Sequence, residues 1–600
     1  MSSLKKNDIP FKLRPISRFL NFTSLQKMSL ISSIAGAPAF TRSAIQVYPT
    51  CPSQKVGMDL LRDGDISKGT AYTREERDRL HLRGLLPHKV FTMDEQAARI
   101  RRQFELMPTP LLKYIFLSNE REKNSQSFWR FLFTHPPTET MPVLYTPTVG
   151  EACQKWATHR QSYRGIYITP EDSGHIKDIL RNYPRQDIRC IVVTDGGRIL
   201  GLGDLGASGL GIPVGKLMLY TLIGQVHPEQ TLPVQLDMGT DRKEILADPL
   251  YHGWRHPRIR GPEHTKFVQE FVDAVKEVFG ETCLVQFEDF EMETAFTLLD
   301  HFRWRCNCFN DDIEGTASVA AATLASATRI KGVPDIKDQK IVFIGAGSAA
   351  TGIANLIVDM AVSRGGITKE EMEKRIFMFD AKGMVHAGRT DLFDFNKPYM
   401  HKMEPIATVA EGIRKLKATA VIGVSGVPGL ITEEIVKDLC KNVERPLVFA
   451  LSNPTSKAEC QPKDAYTWSN GKALVATGSP FPDFELNGQK FITAQANNSW
   501  IFPAVGYALV TTKARHCPGK VFEVAAEALA QLVKPEDHAV GNLLPPLDKI
   551  RDYSFGIALK VAEFLYKENL ATAFPPKGVS LADWLRKQLF DPVNEYAPVF

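Results

Sequence analysis

Apolar positions change their spacing along the chain. Between residues 57 and 160 they recur every three or four residues, as in 94–106 and 109–116, which predicts amphipathic helices. From about residue 164 short continuous apolar runs take over. Residues 188–194, 232–237, 282–287 and 306–309 read as buried strands, with an amphipathic helix at 263–279. After a small-residue helix at 313–330 the rhythm resumes at 340–344, 375–379, 420–424, 447–450 and 473–476, and helical chain returns at 501–511 and 519–533. Strands alternating with helices are the mark of an α/β fold with parallel sheets. The pattern predicts an N-terminal helical domain (51–163), a second α/β catalytic domain (164–310 with 498–568), a doubly wound, Rossmann-like cofactor domain (311–497) and a C-terminal tail (569–600).

Turn chemistry punctuates these elements. Pro136-Pro137 break the helical pattern, and Tyr145 lies among prolines that predict a rigid turn. Asp195-Gly196-Gly197-Arg198 reads as a tight turn into a second strand at 199–202. The glycine-dense stretch 201–215 ends in Gly215-Lys216, but Leu210 and Leu217 stand where a phosphate loop needs Gly and Ser or Thr. Lys216 is instead expected at a helix N-terminus, where dipole and burial would lower its pKa and suit it to general-base work. A lysine in isolation reads more simply as a snorkelling surface residue, so its neighbours must decide.

Those neighbours include Glu288-Asp289 and Asp311-Asp312, each pair closing an apolar run. Carboxylates gathered at one sheet edge repel one another, and a hard divalent cation with oxygen ligands, Mg²⁺ or Mn²⁺, keeps them ionised. Glu288, Asp289 and Asp312 are therefore the candidate ligands; solvent-facing helix caps are the plainer alternative. The balance shifts because strand 340–344 runs into Gly345-x-Gly347-x-x-Ala350 and a helix, the context in which glycines let a pyrophosphate approach a helix N-terminus. Asp380, closing the next strand, is the candidate for the adenosine ribose, and Lys382, Arg389 and Lys397 follow closely enough to neutralise a 2′-phosphate.

Composition removes other classes. A net charge of +5 on 600 residues, with no basic run interleaved with aromatics, gives no footprint for nucleic acid. No apolar run approaches the roughly 20 residues that span a bilayer, so no membrane partner is expected. Nine scattered cysteines form neither a zinc ribbon nor a disulfide framework and fit a reducing interior. Residues 1–50 carry Lys5, Lys6, Lys12, Arg14, Arg18, Lys27 and Arg42 against the single acid Asp8, a bias that points to a mitochondrial transit peptide and the matrix, with a basic tail on a cytoplasmic protein as the alternative.

The motifs together identify a resemblance. Leu144-Tyr145-Thr146-Pro147-Thr148-Val149-Gly150, Val193-Thr194-Asp195, Arg198-Ile199-Leu200-Gly201-Leu202-Gly203-Asp204-Leu205-Gly206, Gly211-Ile212-Pro213-Val214-Gly215-Lys216, Gln286-Phe287-Glu288-Asp289-Phe290, the segment 309–317 and Ser452-Asn453-Pro454-Thr455 resemble malic enzymes of the large eukaryotic type. The resemblance runs from about residue 57 to the C-terminal region. It implies oxidative decarboxylation of (S)-malate to pyruvate and CO₂ with reduction of NADP or NAD, dependent on Mg²⁺ or Mn²⁺, in a homotetramer. By position it makes Lys216 the general base, adjusted by Asp311, and Tyr145 the general acid. Arg198, Asn453 and Asn498 would bind substrate, and Asn453 and Asn497 would also line the nicotinamide pocket. Ala381-Lys382 and Lys397 resemble the NADP-preferring pattern. Arg99 matches one arginine of the fumarate site of some members, but Lys123 replaces the other and lacks its planar fork, which implies weak or absent activation by fumarate.

Three positions depart from the family pattern. Glu314 stands where Gln is common, adding a negative charge beside the metal ligands. Asp241-Arg242 replaces an Asn-Asn pair, and Ala494-Gln495-Ala496 precedes Asn497-Asn498 where glycines are usual. Two other readings remain distinct in kind. A simple hydroxy-acid dehydrogenase would release oxaloacetate without a metal, and a catalytically silent nucleotide- and metal-binding protein would lack Lys216, Tyr145 or a metal carboxylate, all of which are present.

Overall fold

Apolar runs bounded by turns form two parallel sheets in the computed structural model, which describes residues 55–159 and 164–592. The basic segment 1–50 lies outside the described residues. The first sheet contains β1 (Ile166–Ile168), β2 (Cys190–Thr194), β3 (Thr231–Leu236), β4 (Leu284–Phe287) and β5 (Cys308–Asn310). Their order is β1-β3-β2-β4-β5, every pairing parallel. All residues of β2 to β5 are buried, which accounts for apolar runs that do not alternate with polar positions.

The second sheet begins with β6 (Ile341–Ile344), β7 (Ile376–Asp380), β8 (Gly383–Met384) and β9 (Ala420–Gly423). It continues with β10 (Leu447–Ala450) and β11 (Leu474–Thr477). A separate hairpin, β12 (Phe484–Leu486) and β13 (Gln489–Phe491), precedes its last strand, β14 (Ala494–Gln495). The order is β14-β11-β10-β9-β6-β7-β8, parallel except for β7 with β8. This is the doubly wound, Rossmann-like arrangement expected.

Strand order reverses direction at one place in each sheet: the chain leaves β2 for β3 on one side and reaches β4 on the other, and leaves β6 for β7 on one side and reaches β9 on the other. Connections diverge at such a switch point and open a crevice beyond the carboxyl ends of the strands. The turn after β2 and the acids after β4 flank the first crevice; the glycine loop after β6 opens the second.

Helices cover both sheets. The N-terminal region is helical as expected, including Met93–Leu106, Pro110–Lys123, Ser125–Thr134, Pro137–Leu144 and Thr148–Gln154. Thr92 and Thr109 cap the first two by accepting backbone N–H groups, and Glu95 closes a capping box with Thr92. The small-residue helix Thr316–Ala327 packs against Lys520–Leu532 and Ser348–Arg364, and Ser318 donates to the Phe522 carbonyl at 2.8 Å. Its alanines allow that close approach. Among the described residues no helix is long and apolar enough to cross a membrane.

Three local expectations are corrected. No second strand forms at 199–202; a single bridge joins Ile199 to Gly203, because Leu200 takes a left-handed backbone at φ 47°. The helical pattern does break ahead of Pro136-Pro137, where Ser125–Thr134 ends, but a new helix starts at Pro137 and Tyr145, expected in a rigid turn, is its C-cap. Lys216 lies well inside Gly211–Leu222, since the chain enters that helix through a 3₁₀ turn, Gly206–Leu210. The positive end of the helix therefore does not act on its ammonium.

Candidate active site

Strand β4 ends directly in Glu288 and Asp289, and β5 in a single π-helical turn, Asp311–Gly315, that turns Asp311 and Asp312 inward. The carboxylates of Glu288, Asp289 and Asp312 offer ligand atoms all within 4.8 Å of one another. Backbone contacts fix them. Asp289 takes φ 54°, a left-handed conformation costly for a non-glycine residue, while its N–H donates to Asp312 at 2.7 Å and its carboxylate accepts from Leu200 N–H at 3.1 Å. Gln286, two residues before Glu288 on the same face of β4, donates to Glu288 at 2.8 Å and accepts from Tyr220. Gly315 is required here because a Cβ would stand 1.8 Å from Asp311 Oδ1.

Lys216 reaches this corner from the facing helix. It is fully buried, donates to Asp311 and lies 3.0 Å from Glu288. Burial opposes its ammonium, but Asp311 and Glu288 outweigh that and hold its pKa well above the ordinary lysine range. The expected lowering is thus reversed, since the two acids sit closer than any helix dipole. Tyr145 completes the group, with the Lys216 ammonium 5.2 Å from its ring centroid. Burial lifts the phenol well above the usual tyrosine range, with Lys216 opposing, so the hydroxyl stays protonated.

The carboxylates are not satisfied by the protein alone. Burial raises the pKa of Glu288, Asp289 and Asp312, and carries Asp311 up to about 6 against the pull of Lys216. Asp289 Oδ2 and Asp311 Oδ1 are buried without hydrogen-bond partners. Buried oxygens of this kind call for a cation. Glu314, the departure expected to add charge here, is answered by Arg303 at 2.8 Å and by the Asn310 N–H at 3.2 Å.

The turn after β2 carries Arg198. Thr194 and Asp195 accept from the N–H groups of Gly196 and Gly197, and Gly196, at φ 71°, passes so close to Gly206 that a Cβ would stand 2.0 Å from its carbonyl oxygen. Asp195 is anchored by His264 at 3.0 Å and Arg258 at 3.6 Å. Arg198 donates its N–H to the Asp289 carbonyl at 3.1 Å and its guanidinium to Ser348 at 3.4 Å, at the start of the helix after β6. It thereby joins the acidic corner to the glycine loop, and it also lines an open cleft of about 1190 Å³ with Arg260, Glu291, Met292 and Phe393.

In that loop Gly345 takes φ 122° and a Cβ would stand 2.9 Å from the Val424 carbonyl, while Gly347 faces Met292 and Ala350 is buried in the helix. Asn453 follows β10 and accepts from the Ser479 hydroxyl; its carbonyl meets Gly201 of the Arg198 loop. Asn497 spends its side chain capping the turn Asn498–Trp500, whereas Asn498 Oδ1 is buried without a partner.

The candidate specificity residues lie apart from the corner. Asp380 accepts two hydrogen bonds from Arg389, at 2.8 and 2.6 Å. Lys382 pairs with Asp391 at 2.6 Å and the exposed Lys397 with Asp394 at 2.9 Å. The buried Asn396, not singled out in the sequence, reaches the glycine loop by donating to the Ala346 carbonyl at 3.0 Å. Only its place beside Lys397 marked it beforehand.

The families described as "Malic enzyme, N-terminal domain" and "Malic enzyme, NAD binding domain" match residues 121–303 and 313–566. The chain is 44% identical to the NADP-dependent malic enzyme of Mus musculus over 520 residues, 86% of this chain and 90% of that protein. It is also 44% identical to the mitochondrial NADP-dependent malic enzyme of Homo sapiens over 525 residues, 87% and 86% of the two chains. Among solved structures, the malic enzyme of Entamoeba histolytica superposes with a TM-score of 0.53 at 24% identity, covering 85% of this chain and 90% of its own, which shows a shared fold.

Proposed function

Because the chain belongs to the malic enzyme family, we propose that it oxidatively decarboxylates (S)-malate to pyruvate and CO₂ with NADP as hydride acceptor. The observation that carries this reading is the buried contact of one lysine, Lys216, with acids from two strand ends, Glu288 and Asp311. A base serves the oxidation of an alcohol and a cation site serves the loss of CO₂; simple hydride transfer would need no acidic cluster.

The donor set of Glu288, Asp289 and Asp312 fits Mg²⁺ or Mn²⁺, being all carboxylate and including the unpartnered Asp289 Oδ2. When bound, the cation would supply Lewis acidity at the substrate's C2 oxygen and NADP would supply the hydride acceptor. Lys216 takes the proton of the C2 hydroxyl, and Asp311 orients its Nζ. It rests as an ammonium, so base duty requires that it first release a proton, which positive charge among the neighbouring carboxylates favours. Tyr145, protonated at neutral pH, returns a proton to C3 as enolpyruvate becomes pyruvate after CO₂ has left, and Lys216, beside its ring, reloads it with the proton taken from the C2 hydroxyl. Arg198 holds a substrate carboxylate with its planar fork, and Asn453 and Asn498 orient substrate and nicotinamide.

Gly345, Gly347 and Ala350 hold the pyrophosphate at the helix N-terminus. NADP is preferred over NAD in this reading because Arg389 already engages both oxygens of Asp380, which is therefore not free to receive a ribose hydroxyl and does not repel a 2′-phosphate. Lys382 and Lys397 flank that phosphate.

The test is to mix purified protein with malate, Mn²⁺ and either NADP or NAD, and to follow reduced cofactor and pyruvate together. Equal amounts of both products, larger with NADP and abolished by a chelator, are expected. Cofactor reduction without pyruvate would replace this reading with a simple dehydrogenase.

A further inference from the structure

The helix that carries Lys216 has a second face. Positions 214 and 218 lie opposite Lys216 at helical periodicity, and Val214 and Met218 there wall a cavity of about 50 Å³. Trp156 closes it on one side and the helix Pro110–Lys123 on another, presenting Tyr114 and Arg121. A water needs roughly 10–15 Å³ by this measure, so the space holds a few waters or one anion of about five heavy atoms.

Arg121 makes this cavity unlike an ordinary packing defect. It is 6% exposed, its Nε is buried without a hydrogen-bond partner, and it makes no ion pair among the described residues. One face of the guanidinium lies 5.5 Å from the Trp129 ring, which leaves its edge to be satisfied. The nearby acids are already engaged. Arg164 bonds Glu122, and Asp65 at 3.4 Å; Arg185 takes Asp65 at 2.6 Å and Glu229 at 2.7 Å. Burial, reinforced by Arg164, brings the Arg121 pKa down to about 9, which still leaves it charged at neutral pH. A buried cation without a counter-ion is expensive. The reaction proposed above makes no use of it.

We propose that this cavity binds one compact oxyanion, of the size of phosphate or a two- to three-carbon carboxylate, with Arg121 as its principal cationic ligand. Tyr114, kept neutral because burial raises its pKa, adds an O–H donor. Ser118 adds none, because its hydroxyl donates to the Tyr114 carbonyl at 2.9 Å. Occupancy pairs the guanidinium and tightens the packing behind the helix that positions Lys216.

The experiment uses the full chain with saturating NADP and Mg²⁺, so that phosphate does not report on the nucleotide's own site, and needs no turnover. Thermal unfolding and calorimetric titration are recorded against phosphate and acetate, with chloride at matched ionic strength, for wild type, Arg121→Met and Ala152→Leu. Ala152 lines the cavity, and leucine there fills it while keeping the guanidinium. The wild type should gain Tm saturably with phosphate or acetate and not with chloride; whichever oxyanion acts identifies the source. Arg121→Met should weaken that binding by about tenfold or more, Ala152→Leu should abolish it, and without oxyanion Arg121→Met should be at least as stable as wild type. No saturable response in the wild type, or the same response in all three proteins, would overturn the proposal. If Arg121→Met does not fold, the cavity-filling variant decides.

Discussion

The acids that close β4 and β5 are crowded and short of partners, three of them buried and Asp312 half-buried, whereas the acid that closes β7 is partly exposed and already paired. Glu288, Asp289, Asp311 and Asp312 share one lysine and leave two oxygens unanswered; Asp380 has both oxygens held by Arg389. Both groups stand at carboxyl ends of parallel strands, where an α/β sheet gathers its ligands. They differ in what burial leaves unpaid. In the proposed function the unsatisfied cluster takes a cation and sets the chemistry, while the solvated ion-pair network only tunes which nucleotide is preferred.

The largest expected effect lies in the buried corner. Tyr145→Phe should lower kcat by about 10²–10⁴-fold while leaving NADP affinity unchanged, the loss ordinarily seen for a positioned acid or base. Lys216→Ala should be as damaging to turnover and should also lower stability by about 3–5 kcal/mol, because it strips two buried carboxylates of their cation. Steady-state kinetics and denaturant unfolding check both; a variant with wild-type kcat would remove the corner from the mechanism.

Next comes the backbone that shapes the corner. A methyl at Gly315 would collide with Asp311, so Gly315→Ala should cost about 1–3 kcal/mol and reduce kcat with little change in cofactor affinity. The turn bearing Arg198 should follow. Burial works to raise the Asp195 pKa, but Arg258 and His264 outweigh it and hold it below the usual range. A carboxyl so depressed contributes stability above its unfolded pKa, near 4, and loses that contribution as pH falls through the folded value. Asp195→Asn should therefore cost about 1–3 kcal/mol at pH 7, with the difference from wild type shrinking below about pH 4 in urea unfolding. A difference independent of pH would show that the carboxylate charge is not what anchors the turn.

Much of the comparison could be read in the sequence. The acids after 282–287 and 306–309 stood out because buried parallel strands are uninterrupted apolar runs, so a polar pair marks where each strand ends. The glycines after 340–344 were legible for the same reason. Lys216 was misplaced along its helix because the preceding 3₁₀ turn has no distinct spacing, and its pKa was read in the wrong direction because the acids that govern it come from distant strands. Leu200 shows no mark of its left-handed backbone, which tertiary contacts impose. Glu314 reads as added charge beside the candidate metal ligands, but Arg303, eleven residues earlier, neutralises it. Asn396 reaches the glycine loop only through where the chain returns in space.

The smallest effect is expected at the paired rim. Lys397→Gln should raise KM for NADP several-fold and leave that for NAD nearly unchanged, a modest change because the side chain is 68% exposed and its ammonium is shared with Asp394. Equal effects on both cofactors would place the specificity elsewhere, and a loss of kcat would erase the distinction between the two strand ends.

The measurement that tests the account most directly is a calorimetric titration of Mn²⁺ into the metal-free protein and into Asp289→Asn, with no substrate present. The account predicts one site per chain in the wild type and an affinity at least about a hundredfold weaker in the variant, which loses a ligand oxygen that nothing else in the protein satisfies. Binding of equal strength in both proteins, or none in either, would contradict the claim that this buried acidic corner is built around a cation.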